Sequence, residues 1–124
     1  KVLDDQMAGI FLLGLSSKTF KIRGISKLEK LIARYIDNWA TCDAISSEVI
    51  AKILRDSPEE IETLDTWAKS QNKWLKRVAL VTVVKLKNRI EYWNKISSRI
   101  LPLFSEEKEP IVKSAMRWLE KEIG

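Results

Sequence analysis

Apolar positions recur along this chain at helical spacing. Between Ser26 and Tyr35, residues Leu28, Leu31, Ile32 and Tyr35 fall on one face of a helix. The same rhythm predicts six further helices. They run from about Asp4 to Leu15, from a cap at Asp37 or Asn38 to about Leu54, from Ser57 to Lys69, from Asn72 to Lys85, from Ile90 to Ile100, and from after Lys108 to Glu122. A basic loop, Ser16 to Gly24, follows the first of them. Ser57, Pro58 and Glu60 read as an N-cap, a first-position proline and the far side of a capping box. Pro102 is expected to stop the helix that ends at Ile100. The run Val78-Ala-Leu-Val-Thr-Val-Val84 favours a strand by propensity alone. The helices on either side and the repeat described next assign it to a helix. Strand-like alternation and Asn-Gly hairpin signals are missing.

A repeat organises these elements. With Asp4, Trp39, Trp74 and Pro110 taken as equivalent, the intervals are 35, 35 and 36 residues. Trp39-Ala-Thr-Cys-Asp43-Ala-Ile aligns with Trp74-Leu-Lys-Arg77-Val-Ala-Leu and with Pro110-Ile-Val-Lys113-Ser-Ala-Met; the segment from Asp4 fits more loosely. A fixed period of this length marks a helical solenoid, in which each repeat buries its apolar face against its neighbours. The expected fold is therefore all-α: a HEAT-like superhelix of antiparallel helix pairs, forming a single domain over residues 1–124. Equivalent positions of such an array line one face, so Asp43, Arg77 and Lys113 are expected to share a groove.

Composition narrows the function. The chain has 124 residues, 45% hydrophobic, which supports one core, and no apolar run approaches a membrane span. It begins at Lys1, inside what already reads as a helix, and is expected to be the C-terminal part of a longer protein. Its single cysteine, Cys42, excludes an internal disulfide and fits a reducing compartment. The absence of histidine removes Ser-His-Asp and Cys-His nucleophile systems and the commonest metal ligand. Acid–base chemistry is left to carboxylates, lysine or tyrosine.

The net charge of +5 is unevenly spread: Lys69 to Arg99 holds nine basic residues and one acid, whereas Asp56 to Asp65 holds five acids and no base. A basic surface of this kind attracts a polyanion such as nucleic acid, or is simply a solvated helix face.

The candidate chemistry centres on Asp43. Trp39 lies four residues before it, one turn away on the same helix face. Asp43 either pairs with a base of the next repeat, Arg77 first among them, and holds the stack together, or faces the groove and stabilises positive charge on a substrate. Trp118 falls two turns into its helix and is either core or a second aromatic wall. Two indole faces and an anion would attract a cationic ring. Trp67 and Trp93 fall on the other helix of each pair and fit a packing role. Arg77 and Lys113 are candidate phosphate contacts, with Lys73 and Lys76 adding to the field.

The segments Asp37-Asn-Trp39-Ala-Thr-Cys-Asp43, Trp67-Ala-Lys-Ser-Gln-Asn-Lys-Trp74-Leu-Lys-Arg77 and Ile111-Val-Lys-Ser-Ala-Met-Arg-Trp118-Leu-Glu-Lys-Glu resemble the DNA alkylation repair family, the AlkD-like HEAT-repeat DNA glycosylases. The likeness runs from about Asp4 to Glu122, with the three motifs in family order. It implies hydrolysis of the N-glycosidic bond of N3- or N7-alkylated purines in double-stranded DNA, without extrusion of the base into a pocket. It implies that Asp43 is the catalytic aspartate, that Trp39 and Trp118 contact the deoxyribose of the lesion, and that Arg77 lies near the DNA backbone. It also implies further helices before Lys1, no metal and no cofactor. A monomer acting in the cytoplasm, at the nucleoid in a prokaryote, is expected. Two other uses stay open: a non-catalytic HEAT-like protein that binds DNA through the same groove, and a protein-binding scaffold, the commonest use of such arrays.

Overall fold

The computed structural model describes residues 28–124, and these residues are helical with no strand among them. The helix expected over Asp4 to Leu15 and the basic loop at Ser16 to Gly24 lie outside the described residues. In chain order the helices are α1 (Glu29–Tyr35), α2 (Trp39–Ile45), a π-helical segment (Ser46–Ile50), α3 (Ala51–Asp56), α4 (Glu62–Ala68), α5 (Lys73–Lys85), α6 (Trp93–Ile100) and α7 (Pro110–Ile123). No described helix is long and apolar enough to cross a membrane.

The three well-matched repeat origins land within a residue of equivalent helix starts. Trp39 opens α2, Trp74 is the second residue of α5 and Pro110 opens α7. α5 lies between the other two, packed on both α2 and α7, and α4 packs beside it. This central position explains the β-rich run. Every residue from Val78 to Val84 is buried. Burial on all sides favours an apolar residue at every position, with Thr82 the one exception in the run, so the usual stripe disappears and local propensity gives way to packing.

Side-chain capping sets two of the helix starts. The Asn38 side chain accepts a hydrogen bond from the Thr41 backbone N–H at 2.8 Å, so Asn38, not Asp37, is the residue that precedes α2 and caps it. Asn72 accepts from the N–H groups of Trp74 and Leu75 and starts α5.

Three expectations are corrected. Ser57 does not form a capping box: its side chain makes no cap hydrogen bond, and Pro58–Ile61 form a 3-10 turn ahead of α4. Ser57 has φ −134° and ψ 71°, because the proline ring that follows pushes it out of the helical region. The helix expected from Asn38 to Leu54 is interrupted at Ser46–Ile50, where hydrogen bonding widens to the π pattern. Finally, α6 begins at Trp93 rather than Ile90. Asn88 adopts a left-handed conformation, φ 67°, which ends the preceding turn and delays the helix. The α-helix ends at Ile100, as expected ahead of Pro102, and a 3-10 turn, Leu101–Phe104, follows it.

One continuous core runs from Leu28 to Leu119. Trp67 and Trp93 are buried in it, as their place in the pattern predicts. Their indole N–H groups are satisfied, Trp67 by the Glu29 carboxylate at 3.1 Å and Trp93 by the Val83 carbonyl at 2.6 Å.

Candidate active site

Asp43 stands in the first turns of α2 and Arg77 at the equivalent level of α5. Their side chains meet in a two-point fork: Arg77 Nε donates to one Asp43 oxygen and Nη2 to the other, both at 2.8 Å. Planar guanidinium matches planar carboxylate, the strongest ion-pair geometry side chains offer. Arg77 then reaches to the third equivalent helix. Its Nη1 donates to the Ile111 carbonyl at 2.7 Å and to the Ser114 hydroxyl oxygen at 2.8 Å in α7. Four of its five N–H donors are thus engaged inside the protein. Arg77 is only 8% exposed. One buried cation therefore ties together α2, α5 and α7 at a single level.

The electrostatics follow from that arrangement. The hydrogen bonds to Asp43 outweigh burial and hold the Arg77 guanidinium above its ordinary range. Burial, and then the charge of Asp43, push the Cys42 thiol well above its own, with Arg77 offsetting part of the effect. Cys42 is a buried packing residue whose Sγ lies 3.6 Å from the Trp74 carbonyl oxygen. As a thiol it is no nucleophile.

The two indoles of the expected site differ. Trp39, one turn before Asp43, is 62% exposed. Trp118, one turn after Ser114, is half-buried against the core and carries the Lys85 ammonium 5.0 Å from its ring centroid. Asp43 keeps 21% of its side chain exposed. The Arg77 fork takes one lone pair on each of its oxygens, so each oxygen keeps a further lone pair and part of the carboxylate stays open to solvent.

The basic residues also separate. Arg77, expected at the backbone of a bound polyanion, is committed internally and supports Asp43 from behind. Lys76 is bound to the nearly buried carboxylate of Glu107 at 2.9 Å, and Lys73 faces Glu109 at 3.9 Å while lying 5.6 Å from the Trp74 ring centroid. Lys113 is exposed on α7. Sequence reasoning missed the acids from the loop before α7 that engage Lys73 and Lys76. It also missed Ser114, although that residue stands one position after Lys113 in the repeat alignment. Among the described residues no cluster of histidine, cysteine and carboxylate side chains could hold a metal ion.

The sequence profile of DNA alkylation repair enzymes matches residues 1–124, the whole chain. The chain belongs to that family. Membership gives it an enzymatic role in DNA repair, with DNA as its substrate. No curated protein and no solved structure matches it. Among the described residues, the fork between α2 and α5 joins a carboxylate to a buried cation, one helical turn from the exposed indole of Trp39.

Proposed function

We propose that the chain is a DNA glycosylase that hydrolyses the N-glycosidic bond of N3- or N7-alkylated purines in double-stranded DNA, without flipping the base into a pocket. In this reading α2, α5 and α7 are the inner helices of a HEAT-like superhelix, and Asp43, Trp39 and Trp118 form its reactive surface. The observation that carries it is the Arg77 fork. A buried guanidinium fixes both oxygens of Asp43, so the carboxylate needs no reorganisation when charge develops beside it.

Alkylation makes the purine cationic and therefore a ready leaving group. The bond breaks with oxocarbenium character on the sugar, as in other glycosyl hydrolysis. The free edge of Asp43 stabilises that cation and orients the attacking water. The exposed face of Trp39 adds cation–π attraction. Selectivity comes from the positive charge of the lesion, since neutral bases are poor leaving groups. Lys113, with Lys73 once Glu109 yields, contributes backbone attraction, while Lys76 stays with Glu107. No metal or cofactor takes part, and the protein acts as a monomer in the compartment that holds the genome.

The test is release of 3-methyladenine and 7-methylguanine from methylated duplex DNA. Asp43→Asn reduces release by about 10²- to 10³-fold, the size of loss expected when one preorganised stabilising group is removed. An unchanged rate in folded Asp43→Asn protein overturns the proposal.

The engagement of both Asp43 oxygens also suits a second reading, a non-catalytic DNA-binding protein in which the pair only locks three helices. That reading requires no base release from any variant. It also requires DNA affinity that rises when Asp43 is neutralised.

A further inference from the structure

We propose that a cleft beyond the C-terminal end of α2, along the face that carries Trp39 and Asp43, is a seat for one phosphate of the DNA backbone, and that filling it draws Lys85 off the face of Trp118. The proposal rests on the DNA-repair reading and deepens it.

The cleft has a volume of about 320 Å³ and lies between the π-helical segment with α3 and the end of α5. Ser47, Lys52, Arg55, Lys85 and Arg89 line it, with Glu48 the one carboxylate among its lining residues. Its charge balance is therefore three positive in excess. The local counter-charges are weak. Lys52 faces Glu48 at 3.7 Å and Arg55 faces Asp56 at 3.4 Å, in pairs that are largely solvent-exposed. Arg89 is exposed and Lys85 half-buried; neither has an ion pair among the described residues. Four cations gathered around a concavity, only two of them beside an exposed acid, repel one another unless an anion joins them.

Position supplies the ligand. Ser47 and Ala51 follow Asp43 at four-residue steps along the same rod, so the cleft continues the Trp39–Asp43 stripe. Lys85 lies eight residues, two turns, beyond Arg77 on α5. The two basic residues play parallel parts: Arg77 spans from Asp43 of α2 to Ser114 of α7, and Lys85 spans from the cleft to Trp118 of α7. Two helical turns are about 11 Å, roughly three nucleotide rises of 3.4 Å along one strand. A strand whose sugar meets Asp43 thus brings a nearby phosphate to the cleft.

Lys85 is the coupling element. Its ammonium lies 5.0 Å from the Trp118 ring centroid, where a cationic sugar would be stabilised. A phosphate in the cleft offers that ammonium a full negative charge instead. DNA binding would therefore clear the indole face that the reaction needs.

The experiment is a methylphosphonate scan on a duplex with a tetrahydrofuran abasic-site analogue, which binds without turnover. One neutral linkage within about four nucleotides of the analogue should weaken wild-type binding several-fold. Lys85→Met, which keeps the apolar stem, and Arg89→Ser should be insensitive at that linkage, and each should lower the salt slope of binding by about 0.9. The ε-methylene protons of Lys85, shifted upfield by the indole, should return downfield when duplex is added. A flat scan, or Lys85 resonances that duplex does not move, overturns the proposal. Inorganic phosphate moving them at the same low concentration as duplex overturns it in favour of a free-anion site. Because binding is read without turnover, a positive scan with no base release refutes only the glycosylase reading. A flat scan with base release intact refutes only the phosphate seat.

Discussion

Arg77 holds Asp43 by both carboxylate oxygens, at 2.8 Å each, across 34 residues of chain. The same guanidinium donates to Ile111 and Ser114, so its removal frees three helices from one another at a single level. Of the two readings of Asp43 that the sequence left open, the pairing with Arg77 is the one observed, and it does not exclude the other. The pair that ties three helices together would also fix a carboxylate against a developing cation.

This makes the pair separable by a double-mutant cycle. Asp43→Leu should cost about 3 kcal/mol, because it leaves a buried guanidinium uncompensated. Arg77→Met should cost a similar amount through the abandoned carboxylate and the lost bonds to α7. The double variant Asp43→Leu with Arg77→Met should be more stable than either single variant, with thermal unfolding as the measure. It should also be inert towards methylated DNA. Additive losses would show that the two side chains do not act as a unit.

Trp39 and Trp118 should divide stability from chemistry. At 62% exposure, Trp39 contributes little burial, and Trp39→Ala should change stability by no more than about 0.5 kcal/mol. Base release should nevertheless fall at least tenfold. Trp118 packs on the core and also carries Lys85, so Trp118→Ala should cost about 1–3 kcal/mol and reduce release as well. Melting curves beside single-turnover rates check both. Unimpaired release by Trp39→Ala would remove it from the reactive surface.

Much of this was legible in the sequence because a repeat fixes register. Once Trp39, Trp74 and Pro110 are aligned, Asp43 and Arg77 fall within one position of each other, and their pairing is among the few options. The β-rich run of α5 was legible only through that register, since its burial on every side erases helical periodicity. Other features left no local signal. The break at Ser46–Ile50 is one, because Ile45, Val49 and Ile50 satisfy an α or a π pattern equally. Ser57 misled because its side chain and Glu60 fit the capping-box pattern, while the backbone restriction set by Pro58 governs the geometry. The cleft at Lys52, Arg55, Lys85 and Arg89 joins residues from separate helices, which no spacing rule connects.

Glu107 gives a pH-dependent contribution of known sign. Burial raises its proton affinity, but hydrogen bonds from Lys76 and from the backbone N–H groups of Glu109 and Lys108 prevail and hold its carboxyl below the ordinary value of 4.5. A carboxyl whose affinity for protons is lower when folded stabilises the protein above its unfolded value and loses that effect as pH falls through its folded value. Glu107→Gln should therefore destabilise by about 2 kcal/mol at pH 7. The gap to the wild type should close progressively as pH drops below about 4.5. Urea midpoints taken between pH 7 and pH 3 measure this. A gap that does not narrow at all between pH 7 and pH 3 would assign the role of Glu107 to packing rather than charge.

Lys113 and Lys76 make opposite predictions for DNA binding, although both belong to the basic set read from the sequence. Lys113 is exposed on α7 and has no ion pair among the described residues. A lysine that neutralises one phosphate accounts for about 0.9 of the slope of log K against log salt. Lys113→Ala should lower the slope by that amount and leave thermal stability unchanged. Lys76, by contrast, is held by Glu107, whose side chain is only 6% exposed. Lys76→Ala should strand that carboxylate and lower the melting temperature. It should leave the salt slope nearly unaltered, because the lysine is already neutralised before DNA arrives. Anisotropy titrations at several salt concentrations, beside melting curves, decide the matter. If Lys76→Ala also lowers the slope, then Glu107 releases its lysine on binding, and the loop before α7 yields its place to the backbone.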